Sequence, residues 1–327
     1  MRVVVFGATG FIGSRLVSRL LGSTSSLLTA GDQLVLSDLN PPRIPCTDPE
    51  GRNVLSEVEV EAVVGDLSDS ELLANIFVRP VDVVFHLAAA LTLDAELDFA
   101  RGMEVNVHAL MRLLEQCRTQ AQPPRFIFSS SISTFGGALP SVVDDDVFQA
   151  PQTSYGIHKV IAEHLINDYS RRGFIDGRVL RFPIILTNPG APNDSVSDRL
   201  AGLIREPLSG RGVVSPLAPQ TRFAVASVDK AVAGLLKVAM LPASAFGATR
   251  ALNLPALTTC GADIEAAIRR QTQVVAPGAI TWQPDERVRS VVEGWPAAFT
   301  SKTALRLGIE RDESIDTVVA AFLGAKK

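Results

Sequence analysis

The sequence predicts an α/β protein in which a doubly wound parallel sheet, covered by helices on both faces, is followed by a smaller, loop-rich C-terminal lobe. Three observations support this. Short, continuously apolar strand patterns alternate with helical patterns through residues 1–182, as strands buried on both faces require. A glycine-rich turn, Gly7-Ala8-Thr9-Gly10-Phe11-Ile12-Gly13, joins the first strand pattern to the first helix. From Pro183 the texture changes, with prolines at 183, 189, 192, 207, 216 and 219 breaking regular structure.

Residues 2–6 read as a strand, 11–21 as a helix and 33–37 as a second strand. Residues 60–64 form the third strand, 70–77 a short helix, 81–86 the fourth strand and 96–120 one long helix. The fifth strand is 125–129, a helix covers 154–171, and the sixth strand, 178–182, stops at Pro183. Beyond the loop-rich stretch, 225–240 reads as a helix, 250–254 as a strand, and 262–322 as mostly short helices around Ile280-Thr281-Trp282.

The balance of 46% hydrophobic and 20% charged residues is that of a globular chain, and 327 residues exceed one ordinary domain. A net charge of -4 argues against a nucleic-acid or anionic-membrane partner, which leaves small molecules. Cys46, Cys117 and Cys260 show neither metal-ligand spacing nor a disulfide framework. No apolar run approaches the ~20 residues of a membrane span, and the first residues lack the pattern of a signal peptide, so a soluble cytoplasmic protein is expected.

The glycine turn lies between strand and helix, where such a pattern implies a dinucleotide. Gly7 allows the tight turn, Gly10 the approach of backbone to a pyrophosphate, and Gly13 the close packing of helix on strand; the helix N-terminus attracts the phosphates. Thr9, Phe11 and Ile12 complete this loop. Asp38 ends the second strand and is placed to accept hydrogen bonds from the adenosine ribose. A carboxylate there repels a 2'-phosphate, and Ser37 and Leu39 offer no compensating cation, so NAD is favoured over NADP; Arg43 is the nearest cation. Asp66 and Leu67, at the third strand end, are candidates for the adenine, with Asp66 alternatively an ordinary helix N-cap. Ala88 and Ala89 suit a close backbone approach to the dinucleotide. The expected domains are therefore a dinucleotide-binding domain over 1–182, with 223–254 returning to it, and a substrate-binding lobe over 183–222 and 255–327.

Tyr155 and Lys159 stand four residues apart in one helical pattern, so phenol and ammonium project from the same face. The ammonium, helped by a positively charged nicotinamide ring, favours the phenolate, which can take a proton from an alcohol. Ser131 closes a serine run at the carboxyl end of the fifth strand and is the candidate to steady the reacting oxygen, with Ser129 and Ser130 as rivals.

Together the GATGFIG loop, the FSSS run and YGIHK resemble the extended short-chain dehydrogenase/reductase family, a Rossmann-fold family. The resemblance implies that Ser131 orients the reacting oxygen, that Tyr155 is the acid/base, and that Lys159 lowers the tyrosine pKa while binding the nicotinamide ribose. Ser129 lies beside the cofactor in this reading, and Pro183 matches the position packed against the nicotinamide. Ile132 and Ser133 stand where the sugar dehydratases of the family carry an Asp-Glu pair, and RFAVASVD replaces the RDFVHVxD-like stretch of nucleotide-sugar epimerases. Further stretches, including IREPLSG, RALNLPALT and EGWPAAFTSKTALRLG, resemble one subgroup, the D-erythronate dehydrogenases. That resemblance implies NAD-dependent oxidation at C2 of a four-carbon sugar acid to the 2-oxo acid. A nucleotide-sugar epimerase and a non-catalytic NAD-binding sensor are the alternatives.

A sugar acid needs a cation for its carboxylate, and Arg205 and Arg222 are the candidates, whereas Arg181, inside a strand, reads as an internal ion-pair partner. Thr92, Asn106 and Asn188 are further polar candidates. His86, His108, His158 and His164 lack zinc spacing; they read as satisfied structural histidines, and no metal is expected. The apolar positions Val105, Leu110, Leu113, Leu114, Ile161, Leu165 and Ile166 suit core burial. The family resemblance implies a homodimer paired through the two helices that carry them.

Overall fold

Val3, Val4 and Val5 are fully buried, and this first strand is the centre around which the sheet of the computed structural model is laid. The structure describes residues 1–22, 27–47, 57–186, 195–271 and 276–325. In chain order the first elements are β1 (Arg2–Phe6), α1 (Phe11–Leu21), β2 (Gln33–Asp38), β3 (Glu59–Val64), α2 (Ser70–Phe77) and β4 (Val83–His86). Then come α3 (Thr92–Leu97), α4 (Phe99–Met103), a π-helical turn (Glu104–His108), α5 (Ala109–Arg118), β5 (Arg125–Ser131), α6 (Ser154–Arg171) and β6 (Asp176–Phe182). The remainder is β7 (Ile184–Ile185), α7 (Val196–Arg205), β8 (Val213–Ser215), β9 (Arg222–Ala226), α8 (Val228–Met240), β10 (Ala251–Asn253), β11 (Leu257–Cys260), α9 (Gly261–Gln271), β12 (Ile280–Trp282), α10 (Glu286–Glu293), α11 (Lys302–Arg306) and α12 (Ile315–Ala325).

Seven strands form the main sheet in the order β10-β6-β5-β4-β1-β2-β3. β1 runs parallel to both β2 and β4, so the chain winds outward first to one side and then to the other. Ligands of such sheets bind beyond the carboxyl ends at this reversal point. β3 closes one end of the sheet, with Glu59 and Glu61 exposed. The expected doubly wound parallel sheet is therefore present.

Two compact units divide the chain. The first comprises Met1–Ser130, Ile157–Leu180 and Gly234–Ala251; the second comprises Ser131–Gly156, Arg181–Ala233 and Leu252–Lys327. These bounds differ from the expected domains, because residues 131–156, 181–182, 223–233 and 252–254 group with the second unit. In the first unit Leu110, Leu113, Leu114 and Ile166 join the buried cluster around Val4, Phe126 and Phe128. In the second, α7, α9 and α12 pack Leu203, Ile264 and Phe322 with Phe223 and Val225 of β9.

Three elements depart from the expectation. The single helix over 96–120 is broken: Asp98, at φ -130 and ψ 86, ends α3, and its carboxylate accepts the Arg101 N–H at 2.9 Å to start α4. The segment 183–222 is not all loop, because Ser195 caps the ten-residue α7 by accepting the Asp198 N–H at 3.2 Å. Residues 222–226 form a strand rather than a helix start, since β9 pairs antiparallel with β11 and parallel with β7. Asn188, Pro189 and Pro192 lie outside the described residues.

Gly7 has φ +84, and a Cβ built on Gly13 would stand 2.0 Å from the Gly7 carbonyl oxygen. Gly13→Ala is therefore expected to cost roughly 1–3 kcal/mol through overpacking. A urea titration reads this as a lower midpoint; an unchanged midpoint contradicts the close approach of α1 to its preceding turn.

Candidate active site

The glycine-rich loop after β1 is built by backbone meeting backbone. A Cβ on Gly7 would lie 2.7 Å from the Ala88 amide nitrogen, so the turn after β1 and the small-residue turn after β4 touch where no side chain fits. α1 begins at Gly10 without a capping side chain, which leaves its first-turn N–H groups to an anion. Asp38 accepts the Thr9 N–H at 2.9 Å, so it braces the loop through one carboxylate oxygen. Thr9, Phe11, Ile12 and Ala89 are half-buried around this turn, and Gly10 is exposed. This cradle, closed to side chains and facing the first-turn N–H groups of α1, fits a dinucleotide pyrophosphate.

Asp66 is not the helix cap that the sequence allowed, because Asp69 caps α2 instead. The Asp66 carboxylate accepts the Ser68 N–H and hydroxyl, both at 2.8 Å, and an Arg101 N–H at 2.8 Å. Burial would raise its pKa, but these bonds outweigh it and hold the carboxyl below its ordinary value. Leu67 beside it is buried against the sheet.

The three serines of β5 separate by partner. Ser129 donates to the His86 carbonyl at 3.3 Å and Ser130 to the Glu163 carboxylate. Ser131 accepts the Ser133 N–H at 3.2 Å and the Ser133 hydroxyl at 2.9 Å, and it hydrogen-bonds the Tyr155 side chain. Gly156 makes that meeting possible: a Cβ there would stand 2.2 Å from the Ser133 carbonyl oxygen, so the first turn of α6 rests directly on the turn after β5. Ser133 and Glu163 were missed in the sequence. Glu163 carried a signal, since it lies four residues after Lys159 on the same helix.

Lys159 is 3% exposed and points inward. Its Nζ donates to the Ser129 carbonyl at 2.8 Å and stands 4.4 Å from the centre of the Phe128 ring. Desolvation pushes its pKa down to about 7, against the pull of Glu163. The Tyr155 phenol is pushed up to about 12 by desolvation, and its bond to Ser131 only partly offsets this. The chain's own side chains do not by themselves lower the phenol, because in both groups burial disfavours the charged form; the expected lowering includes the charge of a nicotinamide ring.

His86, among Phe6, Phe126 and Phe128, is pushed down to about 3 by burial and then by Lys159. Among the described residues its Nδ1 has no hydrogen-bond partner, nor has Nε2 of His158, so neither ring is fully satisfied as the sequence reading assumed. Asn106, in the π-helical turn, clamps the Ala90 backbone by accepting its N–H and donating to its carbonyl, both at 2.9 Å; its amide nitrogen also lies 3.3 Å from His158 Nδ1. Thr92 is buried at the start of α3. Pro183, also buried, separates β6 from β7.

The two arginine candidates differ. Arg205 is 4% exposed and forks both oxygens of the buried Asp198, at 2.8 and 3.0 Å, while its Nε meets Glu206 at 2.8 Å. Its expected role at a substrate carboxylate is thus overturned by an internal ion pair. Arg222 is exposed at the start of β9. Arg181 is internal, donating to Asn253 at 3.2 Å and the Asp145 carbonyl at 3.3 Å. No group of metal-binding side chains occurs among the described residues, and no described helix is long and apolar enough to cross a membrane.

The profile of the NAD dependent epimerase/dehydratase family matches residues 3–237, and the chain belongs to that family. A D-erythronate dehydrogenase of Cupriavidus necator is 41% identical over 323 residues, which are 99% of this chain and 98% of that one. Another, of Haemophilus influenzae, is 34% identical over 326 residues and 99% of each chain. The structure described as the nucleoside-diphosphate-sugar epimerase from Agrobacterium tumefaciens is 33% identical, with a TM-score of 0.87 over 98% of this chain and 92% of that one.

Removing the arginine from the Arg205–Asp198 pair leaves a buried carboxylate alone, so Arg205→Met is expected to cost roughly 3–5 kcal/mol. Arg222→Ala should leave the melting temperature unchanged, and equal melting temperatures for both variants would contradict this contrast. Lys159 loses its proton near 7 when folded and near its ordinary 10.5 when unfolded. Between these values the unfolded chain binds more protons, so stability should rise with pH above 7 through this group. Melting curves from pH 7 to 8.5 check it: Lys159→Met should lose that upward contribution, and identical slopes would contradict it.

Proposed function

We propose that this protein oxidises the C2 hydroxyl of D-erythronate to the corresponding 2-oxo acid, with NAD as acceptor. The chain is an NAD-dependent oxidoreductase of the epimerase/dehydratase family, and its D-erythronate dehydrogenase relatives support a sugar-acid substrate. The observation that carries the mechanistic reading is the Tyr155 side chain bonded to Ser131, with the buried Lys159 amine one turn further along α6.

In this reading Gly7, Gly10 and Gly13 admit the pyrophosphate, Asp38 takes the adenosine ribose, and Asp66 and Leu67 receive the adenine. Ala88, Ala89, Ser129 and Pro183 lie against the rest of the dinucleotide. NAD supplies the hydride acceptor and a positive ring when bound. Ser131, held by Ser133, orients the reacting oxygen, and Tyr155 Oη takes the hydroxyl proton as the C2 hydrogen leaves as hydride. Lys159, fixed by Ser129 and Phe128, binds the nicotinamide ribose and supplies the cationic field that favours the phenolate. Arg222 is the remaining candidate for the carboxylate. Met111 and Ile157 stay exposed on α5 and α6, which supports pairing of two copies through these helices in a cytoplasmic homodimer.

The nucleoside-diphosphate-sugar epimerase relative favours a second reading, the same residues acting without net oxidation. Spectrophotometric screening for NADH against four-, five- and six-carbon aldonic acids and uridine diphosphate sugars separates the two. NADH formation with D-erythronate is expected; epimerisation of a nucleotide sugar without NADH release would overturn the dehydrogenase reading. Tyr155→Phe should abolish turnover, by at least the ~10²-fold typical of a lost general base, while NAD still binds. Retained turnover would reject Tyr155 as the base.

A further inference from the structure

We propose that Arg101 is a positioning residue that sets the selectivity of the adenine end of the site for a 6-amino group, by fixing the Asp66 carboxylate so that one acceptor position remains. This rests on the reading of Asp66 as the adenine acceptor and adds how that acceptor is made selective. A carboxylate offers about four lone-pair positions. On Asp66, Oδ1 accepts both the Ser68 N–H and the Ser68 hydroxyl at 2.8 Å, and Oδ2 accepts Arg101 at 2.8 Å. The one position left, on Oδ2, accepts a donor and repels a carbonyl oxygen.

Arg101 owes its place to the break between α3 and α4. Asp98 accepts the Arg101 N–H at 2.9 Å as it starts α4, so backbone capping places the arginine at the helix start whose side chain reaches Asp66. An unbroken helix over these residues would not have this start. Serine fixes one edge of the carboxylate and the guanidinium the other, which prevents the rotation that would present a different oxygen to the base. Ser68 alone leaves Oδ2 undirected.

The chemistry recognised is the 6-amino group of adenine, and the discriminating probe is nicotinamide hypoxanthine dinucleotide, which carries an oxygen there. Isothermal titration calorimetry gives the ratio of its Kd to that of NAD for the wild type, Arg101→Gln, Arg101→Lys and Asp66→Asn. Arg101 is partly exposed, so the ion pair is screened and the variants should fold. Arg101→Gln is expected to lower the ratio by about two- to fivefold, the scale of an exposed ion pair. Arg101→Lys, a point charge without the planar fork, should fall between. Asp66→Asn, whose amide also offers donors to an oxygen, should collapse the ratio. A ratio that collapses in Asp66→Asn but is unchanged in Arg101→Gln overturns the role of Arg101 and leaves the adenine reading standing. A ratio unchanged in Asp66→Asn overturns both.

Discussion

Taking a lysine amine out of water costs several kcal/mol unless partners replace its hydration, and the burial of Lys159 is the constraint around which its neighbours are arranged. The Ser129 carbonyl, the Phe128 ring and the charge of Glu163 each meet part of that cost. Ser129 can offer its carbonyl because β5 runs through that position, and Ser130, the next residue, holds Glu163. His86 stays neutral nearby, its pKa depressed by burial and by the same amine. A second cation beside Lys159 is thereby avoided.

The sheet and the Tyr-Lys helix were legible in the sequence because their signals are local. Val3-Val4-Val5 is a buried strand by composition alone, and the four-residue spacing of Tyr155 and Lys159 already fixes their common helix face. Where the sequence misled, a distant partner decides. Phe223-Ala224-Val225-Ala226 suits helix or strand equally, and only pairing with β7 and β11 makes it β9. Asp98 interrupts a convincing helical pattern because its carboxylate is used as a cap. Arg205 resembled any exposed arginine until helix formation in α7 brought Asp198 two turns back along the same face.

Ion pairing thus carries different tasks in the two units. In the second, Arg205 with Asp198 is nearly excluded from water, where two parallel hydrogen bonds impose one geometry on α7. In the first, Arg101 with Asp66 remains wet and contributes little to stability. Asn106 performs a comparable task without charge: by gripping both backbone groups of Ala90 it fixes the turn that follows β4. That turn lies against the Gly7 loop, so a side chain remote from the glycine loop helps to set its shape.

The acidic outer strand β3 has a consequence beyond the chain itself. An open strand end displays unpaired peptide groups on which a second molecule could extend the sheet. Glu59 and Glu61 put like charges along that border, and a copy approaching with its own β3 meets repulsion before any ladder forms. Among the described residues β3 is the last strand on that side of the sheet, so this repulsion acts against edge-to-edge pairing there.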